Sequence, residues 1–177
     1  MALTTTPGSA SADSFATLAA CDAYCEAQGL TDWTSVADSP AAPKEAALRR
    51  ATAFLSSAFT WKGTRTNGRS QALAWPRTDV EDGEGEAVAS DDIPVEIIQA
   101  TCLVAAKEVA SPGYMNPAVI LADRVKRERV GPIEVEYLGG AMTPEASRPI
   151  LMQLDDLVSG LVAAGNGGGL AGSAVRS

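Results

Sequence analysis

Apolar residues recur at intervals of three and four positions in four segments of this chain, and this helical period restricts its fold more than any other feature. The pattern is clearest in residues 43–59, where Leu48 and Leu55 lie on one stripe among strong helix formers. The four segments are residues 13 or 14 to 28, 43 to 59, 91 or 92 to about 111, and 144 to 162. The sequence therefore predicts a mainly α fold, a small bundle of about four helices, with Leu48, Leu55, Ile97 and Val104 in its core.

Two stretches interrupt the helical period and predict other structure. Residues 61–92 begin as a glycine-punctuated basic segment, and Trp75-Pro76 prevents a helix from continuing through it, which predicts a long loop. In residues 124–137 a Gly131-Pro132 pair is followed by apolar residues that alternate with glutamates. This alternation predicts a β-hairpin.

The two ends of the chain differ in composition from the middle. Residues 1–12 are small and polar, so we expect a flexible lead, followed by one helical domain over residues 13–140. Residues 141–177 follow a Gly139-Gly140 pair and combine the last helix with a glycine-rich tail. We expect this C-terminal helix to extend from the core as an arm that docks on another protein.

Residue usage removes most classes of enzyme. The 177 residues include no histidine, which is the commonest general base and the usual partner of a catalytic serine or cysteine. The three cysteines lack the paired spacing of a zinc site, and Cys21 and Cys25 are expected to be buried small residues on one helix face. We therefore expect no catalytic residue, no metal and no cofactor.

Three further motifs are weak. The glycine run at 165–169 has no strand before it and no Lys-Ser or Lys-Thr pair, so a phosphate loop is not expected. The acidic run at 79–86 has its glycines in the wrong places for a calcium loop, and a solvated or partner-facing loop is expected instead. No apolar stretch is long enough to span a membrane and the first residues lack a secretion signal, so we expect a soluble protein that is not secreted.

The formal net charge is −8, yet positive charge is concentrated locally. Four cations with no acid between them lie at Lys62, Arg65, Arg69 and Arg77, and seven acids follow in residues 79–92. Trp61 and Trp75 flank the basic part, which therefore has the ingredients of a single-strand binder, since cations track phosphates and aromatic rings stack on bases. Alternatively, both tryptophans anchor the loop in the core, and its arginines pair with acids of this chain or of a neighbouring subunit.

Three sequence blocks resemble small proteins of tailed-phage morphogenesis modules. They are WKGTRT at 61–66, QALAWPR at 71–77, and VKRE at 125–128 followed by GPIEV at 131–135. Members of this family are often labelled putative DnaT-like single-stranded-DNA-binding proteins, and they are similar in size and helix order to the head-completion adaptors of long-tailed phages. The resemblance covers roughly residues 15 to 137, and the tryptophan-flanked block is its most specific part.

The resemblance implies a structural adaptor of a phage neck and not an enzyme. Such adaptors form a ring, a dodecamer, beneath the portal and receive a stopper or tail-terminator protein on the other side. Double-stranded DNA passes through the ring without specific binding. The implied location is the virion neck, assembled in the host cytoplasm, with no membrane partner. The alternative is a single-stranded nucleic-acid-binding protein that uses loop 61–77.

On the adaptor hypothesis, charged loops hold neighbouring copies together through heterologous contacts. The expected subunit-interface residues are Lys62, Arg65, Arg69, Arg77, Asp79, Glu81, Arg127 and Arg129. The C-terminal helix is expected to dock on the portal through Leu151, Leu154, Leu157 and Leu161. Trp61 and Trp75 are expected to anchor the loop in the core.

Overall fold

The structure is a computed structural model that describes residues 2–37, 40–117, 127–130, 133–136 and 149–163. Within these ranges the chain forms five α-helices and two antiparallel sheets of two strands each. The helices are α1 (Leu18–Ala27), α2 (Thr31–Thr34), α3 (Ala42–Ala58), α4 (Val95–Ala110) and α5 (Met152–Val158). The strands are β1 (Thr64–Arg65), β2 (Arg77–Thr78), β3 (Arg127–Val130) and β4 (Ile133–Glu136). The prediction of a mainly helical bundle with a long loop and a hairpin is confirmed.

Helix α4 lies at the centre of the bundle. It packs against α1, α2, α3 and α5, and nine of its 16 residues are buried. A helix that is apolar on most of its circumference belongs inside a bundle, because no single face can be left in water. The predicted core residues Leu48 and Leu55 of α3 and Ile97 and Val104 of α4 are all fully buried.

Helix α1 begins later than its apolar period predicts. Thr17 is the N-cap, and its hydroxyl accepts a hydrogen bond from the amide of Ala20 at 3.1 Å. The preceding polar residues make other contacts: the Ser14 hydroxyl donates to the carbonyl of Ala16, and the Asp13 carboxylate accepts from Arg49. The short helix α2 follows α1, and its Trp33 is buried.

Two other helix boundaries also differ from the prediction. Helix α4 begins after Pro94, while Asp92, a predicted N-cap, uses its carboxylate to accept from the amide of Ile93 at 2.8 Å. Helix α5 starts at Met152 and is followed by a 3₁₀ turn, Ser159–Leu161. The predicted start of this helix at 144, and the glycine-rich tail, lie outside the described residues.

Residues 2–12, the predicted flexible lead, lie against the long loop. The side-chain amide of Asn67 donates to the carbonyl of Gly8 at 2.9 Å, and the amide of Ala72 donates to the carbonyl of Ser9 at 3.2 Å. Ala12 is buried. The segment therefore packs on the long loop through these hydrogen bonds. Its flexibility stays a prediction.

The predicted hairpin is the pair β3 and β4, and its register is fully defined. Arg127 lies opposite Glu136, and Arg129 lies opposite Glu134. Residues 124–126, 131, 132 and 137 of the predicted hairpin lie outside the described residues. None of the described helices is long and apolar enough to cross a bilayer.

Candidate functional site

The long loop between α3 and α4 is anchored by a row of aromatic rings. The ring centroids of Phe54 and Phe59 are 6.4 Å apart, those of Phe59 and Trp61 5.2 Å, and those of Trp61 and Trp75 5.7 Å. Trp61 is 5% exposed and Trp75 is 1% exposed. Both ring faces are covered by protein, so neither tryptophan offers a surface on which a base could stack.

The ends of the basic segment are held together by Arg77 of β2. Its guanidinium donates to the carbonyls of Lys62 and Gly63, both at 2.6 Å, and to that of Ala74 at 3.1 Å. Burial lowers the pKa of Arg77, and the positive charge of Arg65 lowers it further. Arg77 is therefore a clamp inside the loop, and its donors are not directed at an outside partner.

Lys62 ties the loop to the C-terminal segment. Its ammonium group donates to the carbonyl of Gly160 at 2.7 Å and to that of Glu81 at 3.1 Å. One turn away, the amide of Ala163 donates to the carbonyl of Thr60 at 2.9 Å. The side chain of Lys62, like that of Arg77, serves the fold of its own chain.

Between these clamps the chain forms an exposed basic tip, residues 64–70. Gly63 precedes it with a φ of 63°, and a Cβ at that position would overlap the carbonyl oxygen of Thr78. Arg65 and Arg69 are exposed. Neither guanidinium forms an ion pair or hydrogen bond with any residue that the structure describes. These two arginines are the cations of the loop that remain available to a partner.

An acidic lobe, residues 79–92, follows the basic tip. It is shaped by Asp82, whose carboxylate accepts from the amides of Glu84 and Glu86 at 2.8 and 2.9 Å. These backbone hydrogen bonds, from Glu86 first and then Glu84, lower the pKa of Asp82. The lobe also contains six exposed acids, which are Asp79, Glu81, Glu84, Glu86, Asp91 and Asp92.

The basic tip and the acidic lobe are neighbours, since the Thr66 hydroxyl donates to the carbonyl of Ser90 at 2.6 Å. Nevertheless, within the described part of the chain, none of the six exposed acids forms an ion pair with Arg65 or Arg69. The ion pairs that the structure does record lie within α3, as between Arg49 and Glu45, or join a helix to another helix or to the N-terminal segment, as Arg50 joins Glu108. Charges of both signs are thus displayed side by side and left unpaired.

The eight predicted interface residues therefore divide into separate groups. Arg65, Arg69, Asp79 and Glu81 lie exposed on the tip and the lobe. Lys62 and Arg77 hydrogen-bond to carbonyls of their own chain, which corrects the expectation that they face a neighbour. Arg127 and Arg129 lie on β3, away from the loop in sequence and in a separate sheet.

The predicted portal-docking leucines are not a free apolar stripe. Leu154 and Leu161 are each 2% exposed and belong to the core, where α5 packs on α4, and Leu151 and Leu157 are half-buried against it. The arm predicted to extend from the core is therefore packed on it over residues 151–161. The apolar residues that this segment does expose are Ile150 and Met152, at 58% and 75%.

Sequence reasoning also missed polar residues that act inside the fold. Gln71 is 2% exposed, and its amide donates to the carbonyls of Leu73 and Pro76 at 2.9 and 3.0 Å. Glu108 is 3% exposed and accepts from Arg50 at 2.7 Å. No pattern in the sequence marks such residues, because their partners are carbonyls or charges that only the fold brings near.

The three cysteines lie together in the core. The sulfur atoms of Cys21 and Cys25 are 3.8 Å apart, and Cys102 is also fully buried and free. Hydrogen bonds with Cys102 and Cys25, and burial, raise the pKa of Cys21. Among the described residues no group of histidine, cysteine or acidic side chains is arranged to hold a metal ion.

The fold and the loop define a mainly helical protein with one anchored loop, whose exposed charges of both signs form no ion pair with each other in the part of the chain that the structure describes. The family model described as "Putative DnaT-like ssDNA binding protein" matches residues 1–177, so the chain belongs to that family. Neither a curated protein nor a solved structure matches the chain. The family description supports the single-strand alternative more than the phage-neck hypothesis.

Proposed function

We propose that this protein is a structural adaptor of a tailed-phage neck, whose copies form a ring under the portal and connect the capsid to the tail. The observation that carries the proposal is the burial of Trp61 and Trp75. Because both indoles pack inside the protein, the loop between them is anchored at both ends, and it carries exposed charges on its surface. An anchored loop with exposed charges suits contact with other protein subunits better than base stacking.

The charge distribution supports the same proposal. A protein with a net charge of −8 repels the phosphates of DNA at long range, and a ring around moving DNA works best without a salt-dependent hold on it. Arg65 and Arg69 on the basic tip complement the six acids of the adjacent lobe. Two different surfaces of opposite sign allow heterologous contacts between copies, and such contacts generate a ring when the rotation from copy to copy closes.

The contact with the portal is proposed for the start of α5. Ile150 and Met152 are exposed there, whereas Leu154 and Leu161 are already covered by the chain's own core. Two large apolar residues side by side are more informative than one alone, since scattered single ones are ordinary on protein surfaces. A stopper or tail-terminator protein is proposed to bind the opposite side of the ring.

The test is a phage in which a stop codon replaces an early codon of this chain's gene. We expect DNA-filled heads without tails, and restoration of tails when the wild-type chain is supplied from a plasmid. A plasmid that encodes Ile150→Asp with Met152→Asp should restore tails poorly, whereas Ala23→Asp with Ala53→Asp, at exposed helix positions, should restore them fully. Tailed, infectious particles made without the chain would refute the adaptor function.

Single-strand binding is the second candidate, and the family description favours it. Arg65 and Arg69 are exposed and could contact phosphates. Base stacking, in contrast, would need an exposed tryptophan in the loop, and both Trp61 and Trp75 are buried. Binding would therefore depend on charge, be weak and fall steeply with salt, since each phosphate contact releases counterions. An oligothymidine titration at low salt tests it.

The matched variants for that titration differ in where charge is changed. Arg65→Gln with Arg69→Gln lowers the net charge by two, and so does Ala23→Glu with Ala53→Glu on exposed positions of α1 and α3. If the basic tip binds single strands, only the first pair abolishes binding. Equal losses would indicate a nonspecific effect of net charge, and no binding by the wild type would end the single-strand hypothesis.

A further inference from the structure

Among the residues that the structure describes, no further strand lies beside the hairpin of β3 and β4. It contains only these two strands, and no described helix packs extensively against either of them. A two-stranded hairpin alone in water is marginally stable. Within the described part of the chain, each of its strands is also an edge, with a row of backbone donors and acceptors directed away from its partner.

The residues of the two strands differ in charge. Strand β3 holds two arginines and one glutamate, a net +1, and β4 holds two glutamates, a net −2. The register places Arg127 opposite Glu136 and Arg129 opposite Glu134. Opposite charges at directly opposed positions stabilise a strand pair, and like charges there destabilise it.

We propose that β3 of one copy adds to the edge of β4 of a second copy, so that hairpins of successive copies form one continuous antiparallel sheet. The partner is another copy of this chain, and the charges select the pairing. A β3 strand beside a neighbour's β4 strand repeats the arginine-to-glutamate register of the hairpin. When the same faces of two hairpins are aligned, an antiparallel pair of β3 strands would oppose arginine with arginine, and a pair of β4 strands would oppose glutamate with glutamate.

The geometry of this contact is heterologous, because each copy pairs with one neighbour through the edge of β3 and with the other neighbour through the edge of β4. Heterologous contacts continue from copy to copy until they close, so the outcome is a ring or an open filament and not a symmetric pair. The inference rests on the proposed association of copies in a ring, and it adds a second contact between copies to that of the basic tip with the acidic lobe. It also explains how a marginal hairpin is stabilised, since assembly pairs both of its edges.

The test uses a charge-swapped chain that carries Arg127→Glu, Arg129→Glu, Glu134→Arg and Glu136→Arg. This variant has the same composition and net charge as the wild type, and it keeps opposite charges across its own hairpin. Labelled wild-type chain is titrated with unlabelled wild type or with the swapped chain, and association is followed by sedimentation velocity. Far-ultraviolet circular dichroism verifies that the helices are unchanged.

We expect wild type to associate with wild type and swapped chain with swapped chain at similar concentrations. Association of wild type with the swapped chain should be weaker by about tenfold or more, because every new strand pair opposes like charges. Mixed association as strong as self-association, or a wild type that does not self-associate at any accessible concentration, would overturn the strand-addition proposal.

The outcome is separable from that of the adaptor function. A phage in which every copy carries the swapped hairpin should still make tails if both proposals hold. If self-association discriminates as expected but particles without the chain are tailed, the neck function fails alone. If particles need the chain for tails but the mixed chains associate equally well, only the strand addition fails.

Discussion

Arg65 and Arg77 are direct partners across the β1–β2 sheet, yet only Arg77 is bound by the protein around it. Its guanidinium donates to four backbone carbonyls, at 2.6, 2.6, 3.1 and 3.5 Å, while Arg65 is exposed. Of this pair, Arg77 stabilises the loop from within, and Arg65 lies on its surface.

This pair allows a matched stability comparison. Arg77→Met should lower the free energy of unfolding by about 2 kcal/mol, because carbonyls in the loop lose their donors. Arg65→Met should change it by less than about 0.5 kcal/mol, as expected for an exposed position. Urea denaturation measures both. Equal effects of the two substitutions would contradict the assignment of Arg77 as the clamp.

The contact of Lys62 with Gly160 predicts a local opening of the C-terminal segment. Lys62→Met removes the charged donor to the carbonyl of Gly160. The adjacent backbone pairing of Trp61 with Val162 should therefore open more often. Exchange of the Ala163 amide, which is bonded to Thr60, should become about tenfold faster, measured by hydrogen exchange. Arg69→Met is the control and should leave that amide unchanged.

Glu108 predicts a pH dependence of stability. Its burial raises its pKa, but hydrogen bonds from the amides of Met115 and Gly113 and from Arg50 outweigh this, so the pKa lies below its ordinary value of 4.5. A group whose pKa is lower in the folded state stabilises the fold above the unfolded value, and this contribution is lost as the pH falls through the folded pKa.

The variant Glu108→Gln should therefore be less stable than wild type by about 2 kcal/mol near neutral pH, since Arg50 loses its charged partner. The difference should narrow as the pH is lowered from about 6 towards about 3, because the wild-type carboxylate becomes protonated. Urea denaturation at a series of pH values follows the difference. A gap that stays constant over this range would mean that the charge of Glu108 does not stabilise the fold.

The burial of all three tryptophans predicts the spectroscopic response to nucleic acid. Trp33, Trp61 and Trp75 are each at most 5% exposed, so native emission should be typical of buried indoles and insensitive to iodide. Added oligothymidine should not quench it, even under conditions in which labelled oligonucleotide is bound. Quenching that saturates with binding would show that Trp61 or Trp75 stacks on bases, and would favour the single-strand function.

The helices were predictable because their apolar residues repeat with the period of the helix. Leu48, Leu55, Ile97 and Val104 are buried as that period requires. The boundaries were less predictable. Ser14 and Asp13 satisfy the sequence rule for a helix start, but the Ser14 hydroxyl donates to the carbonyl of Ala16 and the Asp13 carboxylate accepts from Arg49. Thr17 caps α1 instead.

The site was only partly predictable, for two physical reasons. An apolar stripe such as that of Leu154 and Leu161 looks the same whether it covers the chain's own core or a partner, and here it covers the core. A cation looks the same whether it meets a carbonyl or a neighbouring subunit, so Arg77 could not be separated from Arg65 before the fold was known. Tryptophan burial was one of two open alternatives in the sequence, and packing decided it.

The measurement that tests the adaptor function most directly is negative-stain imaging of the purified protein with and without a cognate portal ring. We expect the protein to form a closed ring on the portal, and we expect Arg65→Glu with Arg69→Glu to reduce ring formation by removing contacts with the neighbour's acidic lobe. A protein that stays unassembled and does not bind the portal, at concentrations where it is folded, would contradict the adaptor function.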